Sequence, residues 1–259
     1  PKLGRYLDLG VLGKGGMGEV RKVKDQILNR NLAMKIIHPR IIQNKRALAH
    51  FIEEAQVGAQ LQHPNIVPIH ELGTLPDGRY YFTMKEIKGR EFTELIHGVH
   101  EASTEKVWRT VSDGTSFRRL LQIFHTICET MAFAHSNGVI HRDLKPENVM
   151  IGGFGEVLVV DWGIAKVIDQ IYEKPEEFIQ TERSEENLMA TRMGMVAGTP
   201  AYMSPEQANG DVERINIQSD VYTLGAILYE ILSGKPPYTG RTALDIVEKV
   251  KASKPDPLL

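Results

Sequence analysis

Cysteine is nearly absent: Cys128 is the single thiol in 259 residues. One thiol cannot close a disulfide within the chain, which excludes a stapled secreted scaffold and points to a reducing compartment, the cytoplasm. Cys128 sits in an apolar helical pattern with Ile127 and Met131, so it reads as packing and not as a nucleophile. An excess of either charge is also missing. The 31 basic and 33 acidic side chains leave a net charge of −2, no footprint for nucleic acid or for an acidic membrane surface. No apolar run reaches the roughly 18–20 residues that span a bilayer, and no charged-then-apolar leader opens the chain. It begins with Pro1, which reads as a cut from a longer protein whose other parts are free to carry a membrane anchor. None of the 9 histidines has metal-site spacing; His97 and His100 come nearest, in what reads as a polar loop, and His63 reads as a capping or surface residue. What remains is an ordinary globular composition, 42% apolar and 25% charged, in a chain long enough for one large domain or two lobes.

The first informative stretch is a glycine cluster between two alternating runs, residues 5–13 and 19–24, which predicts a hairpin. Its turn reads Gly13-Lys14-Gly15-Gly16-Met17-Gly18-Glu19-Val20. Glycines there let backbone amides approach a polyphosphate with no side chain in the way. A dinucleotide-binding fold requires a helix after such glycines; here a strand follows. The next apolar strand, residues 32–37, contains Lys35, and a charge in such a run needs an anionic partner. A helix predicted over 45–61 offers Glu53 and Glu54 beside an apolar stripe of Leu48, Phe51 or Ile52, Ala55 and Ala59. Two more strands, 66–72 and 80–84, flank a Pro76-Asp77-Gly78 turn, a sequence suited to reversing the chain.

Beyond this point a polar, irregular surface insertion carrying Trp108 is expected over 97–116. A long helix follows over 117–136, with Leu120, Leu121, Phe124, Ile127, Cys128, Met131 and Ala134 as its apolar stripe. Then comes His141-Arg142-Asp143-Leu144-Lys145-Pro146-Glu147-Asn148, a strand over 149–151, another over 156–160, and Asp161-Trp162-Gly163. Two carboxylates, an amide and a lysine on neighbouring turns suit phosphate and metal chemistry. Residues 169–187 hold seven acidic side chains against Lys174 and Arg183, a composition that buries little and repels itself. The run Gly198-Thr199-Pro200-Ala201-Tyr202-Met203-Ser204-Pro205-Glu206 precedes a nearly all-apolar helix over 219–232 with Asp220 in its first turn, and a short amphipathic helix over 243–250 ends the pattern.

In this order the motifs resemble the eukaryotic-like (Hanks-type) protein serine/threonine kinase catalytic domain over essentially the whole chain. The resemblance implies an α+β, bilobal protein kinase-like fold. Its parts would be an antiparallel five-stranded N-lobe with one helix (1–84), a hinge (85–89) and a larger, mainly helical C-lobe (90–259) lacking its final helices. It implies transfer of the γ-phosphate of ATP to Ser/Thr hydroxyls of protein substrates with Mg²⁺, Mn²⁺ being a possible substitute. Leu12, Gly13, Gly15, Gly16, Gly18 and Val20 would cover the nucleotide. Ala33 would lie above the adenine and Met150 below it, with Met84 guarding the pocket and Glu86 and Ile87 in the hinge. Lys35 would pair with Glu54, leaving Glu53 as a solvated neighbour. Asp143 would accept the hydroxyl proton, Lys145 would stabilise the transferred phosphoryl group, and Asn148 and Asp161 would hold the metal. Asp220 would brace the Asp143 loop and Thr199 would contact Asp143 and Lys145.

The resemblance also implies self-association for autophosphorylation in the loop after Asp161, with phosphorylated Thr191 pairing with Arg142. Trp162 stands where the family usually has phenylalanine; it is expected to pack against the Glu54 helix, to preserve activity, and to mark a bacterial-type member. No arginine is evident for Glu206, which is therefore expected to be unpaired, with low stability or self-association as the result. The alternatives are a kinase-like scaffold or pseudokinase, suggested by Trp162, and a small-molecule kinase. The protein-acceptor platform implied by Gly198 to Glu206 weighs against the latter.

Overall fold

The computed structural model describes residues 2–15, 17–104, 107–162, 166–167 and 199–258. Gly16, Thr191, Gly198 and the acidic stretch 169–187 lie outside the described residues. The first strands are β1 (Lys2–Leu3), β2 (Tyr6–Lys14), β3 (Gly18–Asp25) and β4 (Arg30–Ile37). Helices α1 (Pro39–Ile42) and α2 (Lys45–Gln60) follow, then β5 (Ile69–Thr74) and β6 (Tyr80–Lys85). The strands form one antiparallel sheet in the order β1-β2-β3-β4-β6-β5. The five expected strands are thus joined by a two-residue edge strand, and the expected helix is preceded by one short turn of helix.

Local chemistry explains the geometry. A Cβ on Gly18 would lie 2.2 Å from the Ile36 carbonyl oxygen, so β3 can start against β4 only with glycine. Asn44 caps α2, its Oδ1 accepting from the Ala47 amide at 3.2 Å, which satisfies one orphan donor of the first turn. Phe51 of α2 then packs on Phe82 of β6 with ring centroids 5.1 Å apart. Ala59, expected on the apolar stripe, is exposed; Val57 is buried instead.

The hairpin is stapled by Arg21, whose Nη2 donates to Asp8 Oδ2 at 2.6 Å and whose Nε donates to Oδ1 at 3.0 Å. The Arg21 hydrogen bond outweighs burial and holds the Asp8 carboxyl below its ordinary value of 3.8. A folded-state pKa lowered in this way gives stability that is present above 3.8 and lost as pH falls through the folded value. Asp8→Asn should therefore lower the melting temperature at pH 7, and the difference from the unsubstituted chain should shrink toward pH ~2. Melts showing the same difference at both pH values would remove this account.

The second half contains β7 (Gly89–Glu91), α3 (Phe92–Ala102), α4 (Phe117–Ser136), β8 (Val139–Ile140), β9 (Val149–Gly152), β10 (Val157–Val159) and β11 (Lys166–Val167). It closes with α5 (Pro205–Ala208), α6 (Ile217–Ser233) and α7 (Ala243–Lys251). Strands β10-β9-β7 form a small antiparallel sheet, and β11 pairs with β8. Among the described residues no helix is long and apolar enough to cross a membrane.

Two expectations fail in this half of the chain. His97 and His100 lie on α3 and not in a polar loop, because Phe92, Leu95, Ile96 and Val99 bury one face of that helix. The segment beyond is irregular and mostly exposed, as expected; Trp108 is 46% exposed, yet it stacks on Phe117 at 4.2 Å between centroids and meets the His100 ring edge-on at 4.9 Å. His100 Nε2 lies 2.9 Å from the Ile231 carbonyl oxygen, and α6 ends beneath it at Gly234. There φ is +75° and a Cβ would come within 2.8 Å of the His100 ring. On α4, Ile123 is fully buried whereas Leu121, expected in the stripe, is 37% exposed. Cys128 is half-buried, and burial raises its thiol pKa.

One apolar cluster joins the halves. Val57 and Leu61 of α2 share it with Leu120 and Ile127 of α4, Trp162, and Ile227 and Ile231 of α6. Burial of each such aliphatic side chain contributes about 1.5–3 kcal/mol, so α6, with both isoleucines fully buried, is the pillar on which the Asp143 loop rests.

Candidate active site

The fold brings Lys35, Glu54 and Asp161 to one point. β4 presents Lys35 to the middle of α2, and Lys35 Nζ lies 2.5 and 2.7 Å from the Glu54 carboxylate oxygens. Both side chains are withdrawn from solvent, 17% and 8% exposed. Asp161 Oδ1 stands 3.9 Å from the same ammonium and its side chain is 50% exposed. Burial works against the Lys35 charge, but Glu54 and Asp161 outweigh it and raise the pKa of the ammonium above 10.5. Glu53 is not solvated as expected: it is 6% exposed, with His50 Nδ1 3.7 Å from its carboxylate.

A second group forms on the 141–148 turn. Asp143 Oδ1 accepts from the Thr199 amide at 2.9 Å, and Lys145 Nζ donates to Thr199 Oγ1 at 2.7 Å while lying 3.6 Å from Asp143 Oδ2. Asn148 is buried, and its Nδ2 donates to the Asp143 carbonyl at 2.8 Å. The turn holds backbone strain: Arg142 has φ +71° and Asp161 has φ +62°, a left-handed conformation that non-glycine residues adopt only when their surroundings enforce it. The enforcement is visible. Asp220 of α6 accepts the amides of His141 and Arg142 at 2.9 and 3.0 Å and has His135 Nε2 at 2.8 Å. Gln207 Nε2 donates to the Arg142 carbonyl at 2.7 Å. His135 and Gln207 escaped sequence reasoning because nothing in their local spacing announces these long-range bonds.

Asp220→Ala should destabilise the chain by roughly 1–3 kcal/mol for each amide left without an acceptor, read as a shift in urea midpoint. A variant as stable as the parent would refute the brace. Glu206 is not left unpaired as expected. Burial alone would raise its pKa, but the Ser219 hydroxyl, its own backbone amide and the Ser204 hydroxyl together bring it below 4.5.

The nucleotide-covering candidates sit around the first group. Val20 opposes Lys35 across the β3–β4 ladder, and Ala33 opposes Met84 across β4–β6. Met150 lies on β9 opposite Leu158. Leu12 is 51% exposed on β2; Gly13 has open space where a Cβ would go, and Gly15 donates its amide to the Gly18 carbonyl at 2.8 Å. Glu86 and Ile87 follow β6, and Glu86 accepts from Lys22 Nζ at 2.6 Å. Trp162 is 5% exposed and its ring lies 4.6 Å from that of His141; its Nε1 is buried with no hydrogen-bond partner among the described residues. It belongs to the same apolar cluster as Val57 and Leu61 of α2.

The donor set suits a hard divalent cation shared with a phosphate. Asp161 supplies a half-exposed carboxylate and Asn148 an amide oxygen, and Mg²⁺ is typically held by one or two protein oxygens plus substrate phosphates. Among the described residues no group of three or more His, Cys, Asp or Glu gathers as a self-sufficient metal site.

Comparison with known proteins agrees with this geometry. The chain is 41% identical over 94% of its length to the serine/threonine-protein kinase PknD of Protochlamydia amoebophila (strain UWE25), covering 24% of that protein. It is 35% identical over 94% of its length to PknD of Chlamydia pneumoniae and 38% identical over 90% to PknD of Chlamydia trachomatis serovar L2b, covering 25% of each. It thus spans about a quarter of the length of these curated relatives. Residues 6–255 match the family model described as protein kinase domain, and with the strand, helix and turn geometry above, the chain belongs to the protein kinase domain family.

Proposed function

We propose that this domain transfers the γ-phosphoryl group of ATP to serine or threonine hydroxyls of proteins in the cytoplasm. It would act as one catalytic unit, with an N-lobe (1–84), a hinge (85–89) and a C-lobe (90–259). The observation that carries the reading is the closed Lys35–Glu54 pair, 2.5 Å apart, with Asp161 beside it. That pairing leaves an ammonium, held rigid by a buried carboxylate, to position phosphate oxygens under the glycine hairpin. Asp161 and Asn148 would hold Mg²⁺, which when bound supplies neutralisation of phosphate charge. Asp143 orients the acceptor hydroxyl and takes its proton, Lys145 faces the charge that builds on the transferred group, and Thr199 holds both by its amide and hydroxyl. Phosphoryl transfer needs little covalent help, so positioning and charge neutralisation of this kind are sufficient.

The test is transfer of labelled γ-phosphate from ATP to a generic basic protein. The expected result is label on serine and threonine, dependent on Mg²⁺ and abolished by a chelator. ATP binding with no transfer to any protein would overturn the reading in favour of a kinase-like scaffold.

A further inference from the structure

The residue that ties the glycine hairpin to the hinge lies outside every motif. Lys22 of β3 directly opposes Ala33 of β4, and Ala33 opposes Met84 of β6. Directly opposed residues in an antiparallel sheet share a face, so Lys22, Ala33 and Met84 stand in one row on the face that carries Lys35. Yet Lys22 Nζ donates to Glu86 Oε1 at 2.6 Å, just past the end of β6. In the sheet β4 lies between β3 and β6, and the bond therefore passes over a whole strand. Ala33 makes this geometrically possible, because a small side chain in the middle of the row leaves room for the lysine stem.

The pair is withdrawn from solvent, with Lys22 29% and Glu86 9% exposed, so it is screened less than a surface pair. The neighbouring strand is poorly suited to hold the hairpin at a set height. Gly10, opposite Lys22, has φ +128°, and the β2–β3 register shifts between Asp8 and Gly10 and again between Val11 and Gly13. With two register shifts on the β2 side and an unbroken register on the β4 side, β3 is the regular member of the hairpin, and its Lys22 is the point at which it is tied to the hinge.

We propose that the Lys22–Glu86 ion pair is a strut that sets the height of the nucleotide slot, making Lys22 a positioning residue for ATP. This rests on the reading that the nucleotide lies between the hairpin and the hinge. The strut acts on binding and not on the transfer step, because Asp143 is met by Thr199, Lys145 and Asn148, whereas the pair joins β3 to the hinge.

The experiment uses the whole chain, with ADP as the binding probe and steady-state kinetics alongside. K22M and E86Q should each weaken ADP by about fivefold, the scale of a partly exposed ion pair. KM for ATP should rise by the same factor while kcat moves less than about twofold. The reversed pair K22E/E86K should recover most of the affinity, which a merely structural role for either residue does not predict. Unchanged ADP affinity in the single variants, a reversed pair no better than the weaker single, or kcat and KM changing together would each overturn the strut. If the parent chain bound no ADP, the proposed function would fail first. The strut would then be judged by hydrogen exchange without nucleotide: faster exchange over residues 18–25 in K22M, restored by K22E/E86K, supports it, and unchanged exchange overturns it.

Discussion

Asp143→Asn should lower kcat by roughly 10²–10⁴-fold, the range for loss of a positioned general base, while ADP affinity stays within about twofold. Asparagine keeps one oxygen, so the 2.9 Å bond from the Thr199 amide to Oδ1 can persist and the turn can keep its shape. What is lost is the negative charge at Oδ2, 3.6 Å from Lys145 Nζ, and with it the ability to take a hydroxyl proton. Rapid-quench measurement of the transfer step separates this from slow product release. A variant retaining more than about a tenth of the parent kcat would show that Asp143 is not the base. Asp143→Ala is a poorer test, since it also leaves the Thr199 amide without its partner.

The second large effect is expected at Lys35. Lys35→Met removes the cation from a carboxylate that is 8% exposed, and breaking a buried pair in this one-sided way typically costs about 3–5 kcal/mol. Burial pushes the Glu54 carboxyl up, Asp161 adds to that, and Lys35 is the opposing influence. With Lys35 gone the raised pKa of Glu54 is a penalty on the folded state. The penalty is absent below the ordinary glutamate value of 4.5, grows as pH rises through the folded-state pKa, and is complete above it. Urea melts should therefore show K35M weakest at neutral pH and close to the parent near pH 4.5. K35M/E54Q should regain most of the lost stability, because no unpaired charge remains buried. Neither variant should regain activity: losing a preorganised charge beside the phosphates costs about 10²–10³-fold or more. Recovery of transfer by K35M/E54Q would show that the pair is a structural element and nothing else.

Much of the architecture was legible because its signals are local. A lysine inside the apolar run 32–37 demands an anion wherever it is found; the following helix offers Glu53 and Glu54, the family resemblance implies Glu54, and that pair closes at 2.5 Å. The glycine hairpin announced itself by strand alternation on either side of the turn, and Gly18 is required by the 2.2 Å that a Cβ would leave to Ile36. The polar-loop expectation fails over residues 97–102 for the converse reason. His97, His100 and Glu101 dominate the local composition, while the apolar face of α3 is spread over Phe92, Leu95, Ile96 and Val99, most of it before the polar run begins. Glu53 is expected in solvent because the resemblance pairs Lys35 with Glu54; helical spacing alone cannot decide whether one or both of two adjacent glutamates are covered, and Glu53 is buried too.

By itself the sequence determined which chemical groups this protein carries, in which order, and that a hairpin, a charged strand and a helix must come before the Asp143 loop. These follow from backbone preference and from the cost of an unpaired charge, which act over a few residues. Only the tertiary structure decided much of what holds those groups in place: Gln207 bracing a left-handed Arg142, Ser219 satisfying Glu206, His100 packed over Gly234, and Lys22 reaching across β4 to Glu86. Those partners lie far apart in the chain or belong to different strands, and a hydrogen bond or ion pair leaves no pattern in sequence until packing brings its two ends within about 3 Å.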